Sequence, residues 1–385
     1  MRKYADGSIT DAATRDHPLS RMLSKELGLT GEDFRYMVRY GNPASVGGTF
    51  ATTQGDSANS KGVQFATTPA LKYGVITIHG PSMARAGSRG AKVDLVTHET
   101  DGVLEEMYDH LAFDMYRANG IRGRRSSAST NVITLTSAHD ARNFKVGMTV
   151  GASANSDGSS PRSGDTTVTS VDEDNGTVTL TSAAAISSFT DNDYMFVAGD
   201  PATCVDGLSQ LFPLTAPSAS ESFRGVDRSV HTSLLAGSRI NNTSAPLEEN
   251  IGLAMVKIGS KRRNEQGYKA FANPINVWTA IRRMGAKIEY DGGGGSATYG
   301  FEYINVASPM GTCRLYADPD CPIDRCYVGD LSTGVIMHSE PYVHIIRDDG
   351  KPSLRQSTAD GIEIRARSMA QPIVYDPSRW CVVAV

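Results

Sequence analysis

Residues 101–118 read DGVLEEMYDHLAFDMYRA, and their spacing decides how the rest of the chain is read. Leu104, Met107, Tyr108, Leu111, Met115 and Tyr116 recur at three- and four-residue steps, so they line one face of a helix. Glu105 and Glu106 stand in its first turn, where the helix dipole favours negative charge, and Asn119-Gly120 stops it. At 1.5 Å per residue such a helix runs roughly 27 Å. Upstream, residues 62–67 and 71–78 are extended stretches separated by Thr68-Pro69. Residues 44–60 are mostly Gly, Ser, Thr, Ala and Asn, too poor in large apolar groups to build a core. One long helix preceded by an extended arm predicts a spine rather than a helical bundle.

Working outward toward the N-terminus, Leu19, Met22, Leu23 and Leu27 recur at helical spacing before Gly28, and Phe34, Met37 and Val38 do so before Gly41. Residues 1–43 are therefore expected to form an N-terminal arm with a helix or two. Toward the C-terminus, Arg122, Arg124 and Arg125 read as the solvated basic end of the long helix rather than a phosphate site. Residues 131–200 then change character. Ile133 and Leu135, Val146, Met148 and Val150, Val178 and Leu180, and Tyr194 and Phe196 alternate with polar residues, predicting an all-β module of about five short strands that close or pack to protect their edges. Asp174-Asn175-Gly176 reads as a two-residue hairpin turn, because Asn-Gly tolerates positive φ. Arg142, Lys145 and Arg162 face nine acidic residues in the module, so it is acidic while the remainder is slightly basic.

Beyond residue 200, Pro246 opens a helix carrying Leu247, Ile251, Ala254 and Ile258, and Asn273 caps a second one that runs from Pro274 to Met284. Strands are expected at 301–306, 313–316, 325–328, 335–338, 343–346, 362–365 and 380–385. Helices and strands are segregated rather than alternating, so the fold class is α+β. The chain of 385 residues has a net charge of -4, which disfavours a generally basic nucleic-acid binder. Its apolar runs are only a few residues long, so no membrane partner is expected, and residues 1–10 show no apolar secretion core.

The same residues offer little chemistry. Five cysteines, Cys204, Cys313, Cys321, Cys326 and Cys381, form no C-x-x-C pair and read as reduced, mostly buried thiols. No phosphate-binding, metalloprotease, hydrolase-elbow or dinucleotide motif occurs. The glycine run Gly292, Gly293, Gly294 and Gly295 lacks a following Lys-Ser/Thr and reads as a flexible loop. Asp318, Asp320 and Asp324 are interleaved with Pro319, Cys321 and Pro322 and read as an exposed turn rather than a catalytic pair, and His338 and His344 read as structural. No enzyme activity, catalytic residue, metal site or cofactor is expected.

Several phrases in the second half carry a resemblance: Gly207-Leu208 ahead of Pro213, Phe271-Ala272-Asn273-Pro274, Gly300-Phe301-Glu302-Tyr303-Ile304, Gly311-Thr312-Cys313 leading to Ala317-Asp318-Pro319, and Cys326-Tyr327-Val328-Gly329-Asp330. With Tyr73-Gly74-Val75-Ile76-Thr77-Ile78 and the long helix, their order resembles the tailed-phage major capsid proteins of the Hong Kong 97-type fold. The resemblance implies an N-terminal arm (1–43), an extended loop over a neighbouring subunit (44–97), a spine helix with peripheral domain (98–130), an inserted β-rich domain (131–200), and an axial domain with the remainder of the peripheral domain (201–385). It implies a structural protein that self-assembles as pentamers and hexamers into an icosahedral virion shell in the host cytoplasm. Portal and scaffolding proteins, packaged double-stranded DNA held non-specifically and a decoration protein would be its partners. Candidate inter-subunit contacts are Phe50, Lys61, Phe65, Tyr73, the neighbouring Ala84-Arg85 pair, Arg89 and the four glycines of the 292–295 loop, placed near the symmetry axes. Lys61 has no identified crosslinking partner. Two other readings are an encapsulin-type nanocompartment and, from a different class, a β-rich carbohydrate-binding or hydrolytic surface protein.

Overall fold

The stretch Phe34-Arg-Tyr-Met-Val-Arg-Tyr-Gly41, in which helical spacing was read from Phe34, Met37 and Val38, is a strand. Tyr36 and Val38 are buried while Arg35, Met37 and Arg39 face solvent, a two-residue period that the aromatic and β-branched side chains favour. The computed structural model describes residues 17–385 apart from 30, 32, 43–44, 56–58, 86–88, 202, 262–266, 285–302, 348–349, 351–352 and 357–358. Two compact units emerge. A sheet unit comprises Thr14–Pro69, Leu211–Ser339 and Gln371–Val385, and a helix–barrel unit comprises Ala70–Gln210 and Glu340–Ala370.

In the sheet unit, α1 (Pro18–Met22) gives way to β1 (Ser24–Leu27), which pairs in parallel with β18 (Gly334–His338). The predicted arm helix thus ends at Met22, because pairing along β18 satisfies the backbone that a second turn would have used. Strand β2 (Phe34–Gly41) pairs antiparallel with β3 (Lys61–Thr67), and α2 (Phe50–Gly55) lies in the loop between them. Tyr36 stacks on Phe65 at 5.3 Å in a core with Leu29, Val38, Val335 and Ile373. A two-residue turn, Arg224 and Gly225 with φ of 52° and 80°, joins β11 (Ser222–Phe223) to β12 (Val226–Asp227) and supports the β2–β3 pair. The Arg224 guanidinium donates to Tyr36 Oη at 3.1 Å, and its carbonyl accepts from Ala66 N–H at 3.0 Å.

The second sheet of this unit runs β13 (Ser238–Ile240), β22 (Trp380–Ala384), β17 (Arg325–Gly329), β14 (Tyr268–Ala272), β16 (Gly311–Ala317) and β15 (Tyr303–Ser308). β13 is parallel to β22 and β14 to β16; the other neighbours are antiparallel. Helix α4 (Leu247–Gly259) buries Leu247, Ile251, Ala254, Met255 and Ile258 in one core with Ala270, Leu315, Val328 and Val383. α5 (Pro274–Met284) begins where the Asn273 side chain accepts Ile275 N–H at 3.1 Å, as the capping pattern predicts. The 301–302 end of the first expected strand and the 292–295 glycines lie outside the described residues.

In the helix–barrel unit, β4 (Ala70–His79) pairs antiparallel along β21 (Gly361–Val374), which also carries β19 (His344–Ile345) and β20 (Leu354–Arg355). β4 is thus hydrogen-bonded along its length to β21. The long helix α3 spans Arg89–Asp114, starting earlier and ending sooner than its spacing predicts. Thr100 donates its hydroxyl to Val96 O at 2.6 Å and sits inside the helix, one position before its expected start. α3 packs Val96, Val103, Leu104 and Met107 against Ile76, Ile78, Ile364 and Ala366.

After α3 the chain forms a closed barrel in the order β10 (Tyr194–Val197), β5 (Gly123–Ser129), β6 (Val132–Leu135), β9 (Thr177–Leu180), β8 (Thr166–Asp172) and β7 (Thr149–Ser153). Closure leaves no edge. Residues 131–200 supply five of these strands, as their alternation predicts, and the sixth, β5, comes from the polar segment GRRSSAS at 123–129, which shows no alternating apolar signal. The turn at Asp174-Asn175-Gly176 differs too. Asp172 pairs with Thr177 across a four-residue loop in which, among 173–176, Gly176 alone has positive φ, and Asp172 Oδ1 accepts Asn175 N–H at 3.0 Å. That side-chain bond organises the loop in place of a type I′ turn.

Candidate functional site

Asp318, Asp320, Asp324 and His344, which the sequence put forward for chemistry, have structural partners. Asp318 is fully buried and accepts Leu19 N–H at 3.2 Å and Asp320 N–H at 3.1 Å, so the expected exposed turn is half buried. Asp320 pairs with His17 at 2.6 Å and Asp324 with Arg325 at 2.6 Å, which leaves no facing carboxylate pair in this cluster. His344 bridges Glu340 at 3.0 Å and the Pro341 carbonyl at 3.2 Å. Cys313, Cys321, Cys326 and Cys381 are buried, and burial pushes the Cys313 and Cys381 thiols up to about 12, outside the nucleophilic range.

The arginine run is not a solvated helix end. Arg122 is 4% exposed, Arg124 donates to Asn192 O at 3.0 Å beside the Tyr194 ring, and Arg125 donates to Ile186 O and Phe189 O. The Arg124 and Arg125 guanidiniums stitch the barrel, while that of Arg122 reaches back to α3. Of the four barrel aromatics that could have formed a sugar platform, Phe144 and Phe189 lie in its core and Phe196 is also buried.

A buried polar cluster lies where the chain enters and leaves the barrel. Lys72 Nζ on β4 bridges Asp114 Oδ2 at 3.0 Å and Asp200 Oδ1 at 2.8 Å, with Cys204 Sγ at 3.8 Å. Burial opposes the Lys72 charge, but Asp114, Cys204 and Asp200 outweigh it and raise its pKa; burial likewise pushes the Cys204 thiol up. Asp114, Asp200 and Cys204 place their ligand atoms within 4.8 Å of one another. Lys72 already supplies the compensating cation, so this donor set is an internal ion cluster rather than a metal centre. A second, exposed cluster joins the barrel to α3. Lys145 Nζ lies 2.5 Å from Glu106 Oε2 and 3.0 Å from Asp109 Oδ2, and His110 Nε2 lies 3.2 Å from Glu106 Oε1. The His110 hydrogen bond and then Lys145 lower the Glu106 pKa to about 2 against the opposing effect of burial. The Glu106–His110 spacing of four on a helix was legible in the sequence; Lys72 with Asp114 and Asp200 was not, since 42 and 128 residues separate them.

The candidate inter-subunit contacts divide. Phe50 is 81% exposed and Val46 91%, and α2 buries none of its residues. Lys61 and the Ala84-Arg85 pair are also exposed, and Tyr73 is 60% exposed. Phe65, at 2% exposure, is a core residue and leaves the surface set. The Arg89 side chain and the four glycines lie outside the described residues. No described helix is long and apolar enough to cross a membrane.

No protein-family model matches the chain, and no curated protein matches it. Among solved structures, the chain is similar to the capsid of cyanophage A-1(L), at 11% identity and a TM-score of 0.56, over 96% of this chain and 92% of that one. It is also similar to the capsid of the native GTA particle, at 8% identity and a TM-score of 0.51, over 96% and 90%. At these identities the likeness is one of fold: the chain has an α+β capsid-type fold.

Proposed function

From a fold shared with phage capsid chains over nearly its whole length, we propose that this protein is the major capsid protein of a tailed phage, a structural subunit that self-assembles into the icosahedral shell around double-stranded DNA. The length of that shared fold carries the reading. The polar residues singled out as possible catalytic groups are engaged in structural pairs, which also favours a structural role. In this reading the β2–β3 hairpin with α2 is the extended loop, α3 the spine helix, the β13–β22–β17–β14–β16–β15 sheet with its two helices the axial domain, and the barrel an acidic inserted domain on the outer face. Pentamers and hexamers of the chain, a portal, a scaffolding protein and a decoration protein are its partners in the virion, with assembly in the host cytoplasm.

An exposed apolar residue that stabilises nothing in its own chain is what a subunit contact requires. Phe50→Asp should therefore abolish shells while the circular-dichroism spectrum and melting temperature stay at wild-type values. The deciding experiment is electron microscopy with light scattering on the purified chain, alone and with its candidate scaffold. Closed shells or five- and six-membered capsomers are expected. A persistent monomer under both conditions overturns the reading, and shells that package protein cargo rather than DNA would favour the nanocompartment.

A further inference from the structure

His110 on α3 sits between two charged groups that fix which ring nitrogen carries its proton. Nδ1 lies 2.7 Å from Arg122 Nη2. A guanidinium can only donate, so Nδ1 accepts and is unprotonated. Nε2 therefore holds the proton and donates it to Glu106 Oε1 at 3.2 Å. In this arrangement the imidazole is neutral.

Arg122 is the joint between helix and barrel. Its main chain belongs to the barrel: its N–H donates to Met195 O at 2.9 Å, and its carbonyl accepts Asn143 Nδ2 at 2.7 Å. Its side chain reaches back to α3, where the guanidinium lies 4.0 Å over the Phe113 ring and 3.9 Å from Asp114 Oδ1. The residue is 4% exposed, so the hydrogen bond to His110 anchors a buried charge. A second proton on His110 would occupy Nδ1 and face Arg122 Nη2 donor to donor and cation to cation, which a buried site tolerates poorly.

We propose that His110 is a proton-operated release between helix α3 and the barrel. With the neutral ring, Arg122 is seated on the helix. Uptake of one proton from solvent at Nδ1 removes its acceptor and unseats it, leaving the barrel held by the ion clusters at Lys72 and Lys145. The groups facing the joint are Glu106, Asp109 and Asp114 from α3, Arg117 with its partner Asp140 at 3.6 Å, Lys145 from the barrel, Lys72 from β4, and Asp200 after the barrel. Glu106 attracts a charged ring, but it already receives Nε2–H and Lys145, so a second ring proton gains little there, while Arg122 opposes it directly.

Hydrogen exchange of the full chain, followed by mass spectrometry at pH 7.5 and pH 5.0 and corrected for intrinsic rates, tests this. Protection across residues 119–129 should fall by about tenfold at the lower pH. His110→Gln presents an oxygen to Arg122 and an N–H to Glu106 but takes up no proton, so its protection should stay within about twofold. Equal protection of the wild type at both pH values, or an equal loss in His110→Gln, overturns the proposal. Ring nitrogen chemical shifts of wild-type His110 give a reading free of any variant. The Nε2–H tautomer is expected at pH 7.5, and a doubly protonated ring with Arg122 still seated overturns the proposal.

Discussion

Gly74 shows how a single position sets the approach of α3 to its sheet. A Cβ there would lie 2.7 Å from Val103 Cγ1 and 2.6 Å from Met107 Sδ. Met107 can swing aside, but Val103 is β-branched and stiff. Gly74→Ala should therefore cost about 1–3 kcal/mol in urea unfolding, the range for overpacking; a cost near zero would mean that α3 moves away freely. Tyr73 and Val75, on the opposite face of the same strand, are more than half exposed, so substitutions there should be mild by comparison.

At the scale of elements, the contact between α3 and the barrel is electrostatic. Glu106 has a folded pKa of about 2, below its ordinary value, so its contribution is fully present above the unfolded-state pKa and is lost as the pH falls toward 2. Lys145 is shifted the other way: burial opposes its charge, but Glu106 and Asp109 raise its pKa, so its contribution disappears only at strongly alkaline pH. Glu106→Gln should lower the calorimetric melting temperature at pH 7 and converge on wild type near pH 2. A difference that persists at pH 2 would point to lost packing instead. These side chains are partly exposed, so the gap at pH 7 should also narrow in high salt.

At the scale of the whole molecule, the barrel is self-contained. It has its own core of Ile133, Leu135, Val150, Val168, Val178, Leu180, Phe189 and Met195 and no free edge, and its entry and exit strands, β5 and β10, are hydrogen-bonded neighbours. Residues 123–198 expressed alone should fold cooperatively, read by near-ultraviolet circular dichroism and a single thermal transition. A molten spectrum would show that the barrel depends on α3 and β4 for its structure.

Periodicity and capping by themselves determined much of this protein. The apolar stripe of α3, Asn273 before α5, Pro246 before α4, the β-rich character of 131–200 and most strands after 300 follow from local spacing, because those elements bury a face whose pattern is written within a few turns or residues. Tertiary structure decided the rest. Phe34–Gly41 became a strand because its alternate aromatics meet Phe65 and Val335, and GRRSSAS became a barrel strand because closure needs a sixth neighbour. Lys72, Asp114 and Asp200 form one site, and His110 meets Arg122, through pairings that no local pattern encodes. Local periodicity records which face of an element is buried; which partner buries it depends on long-range packing, and the polar clusters at the barrel neck exist only once that packing has formed.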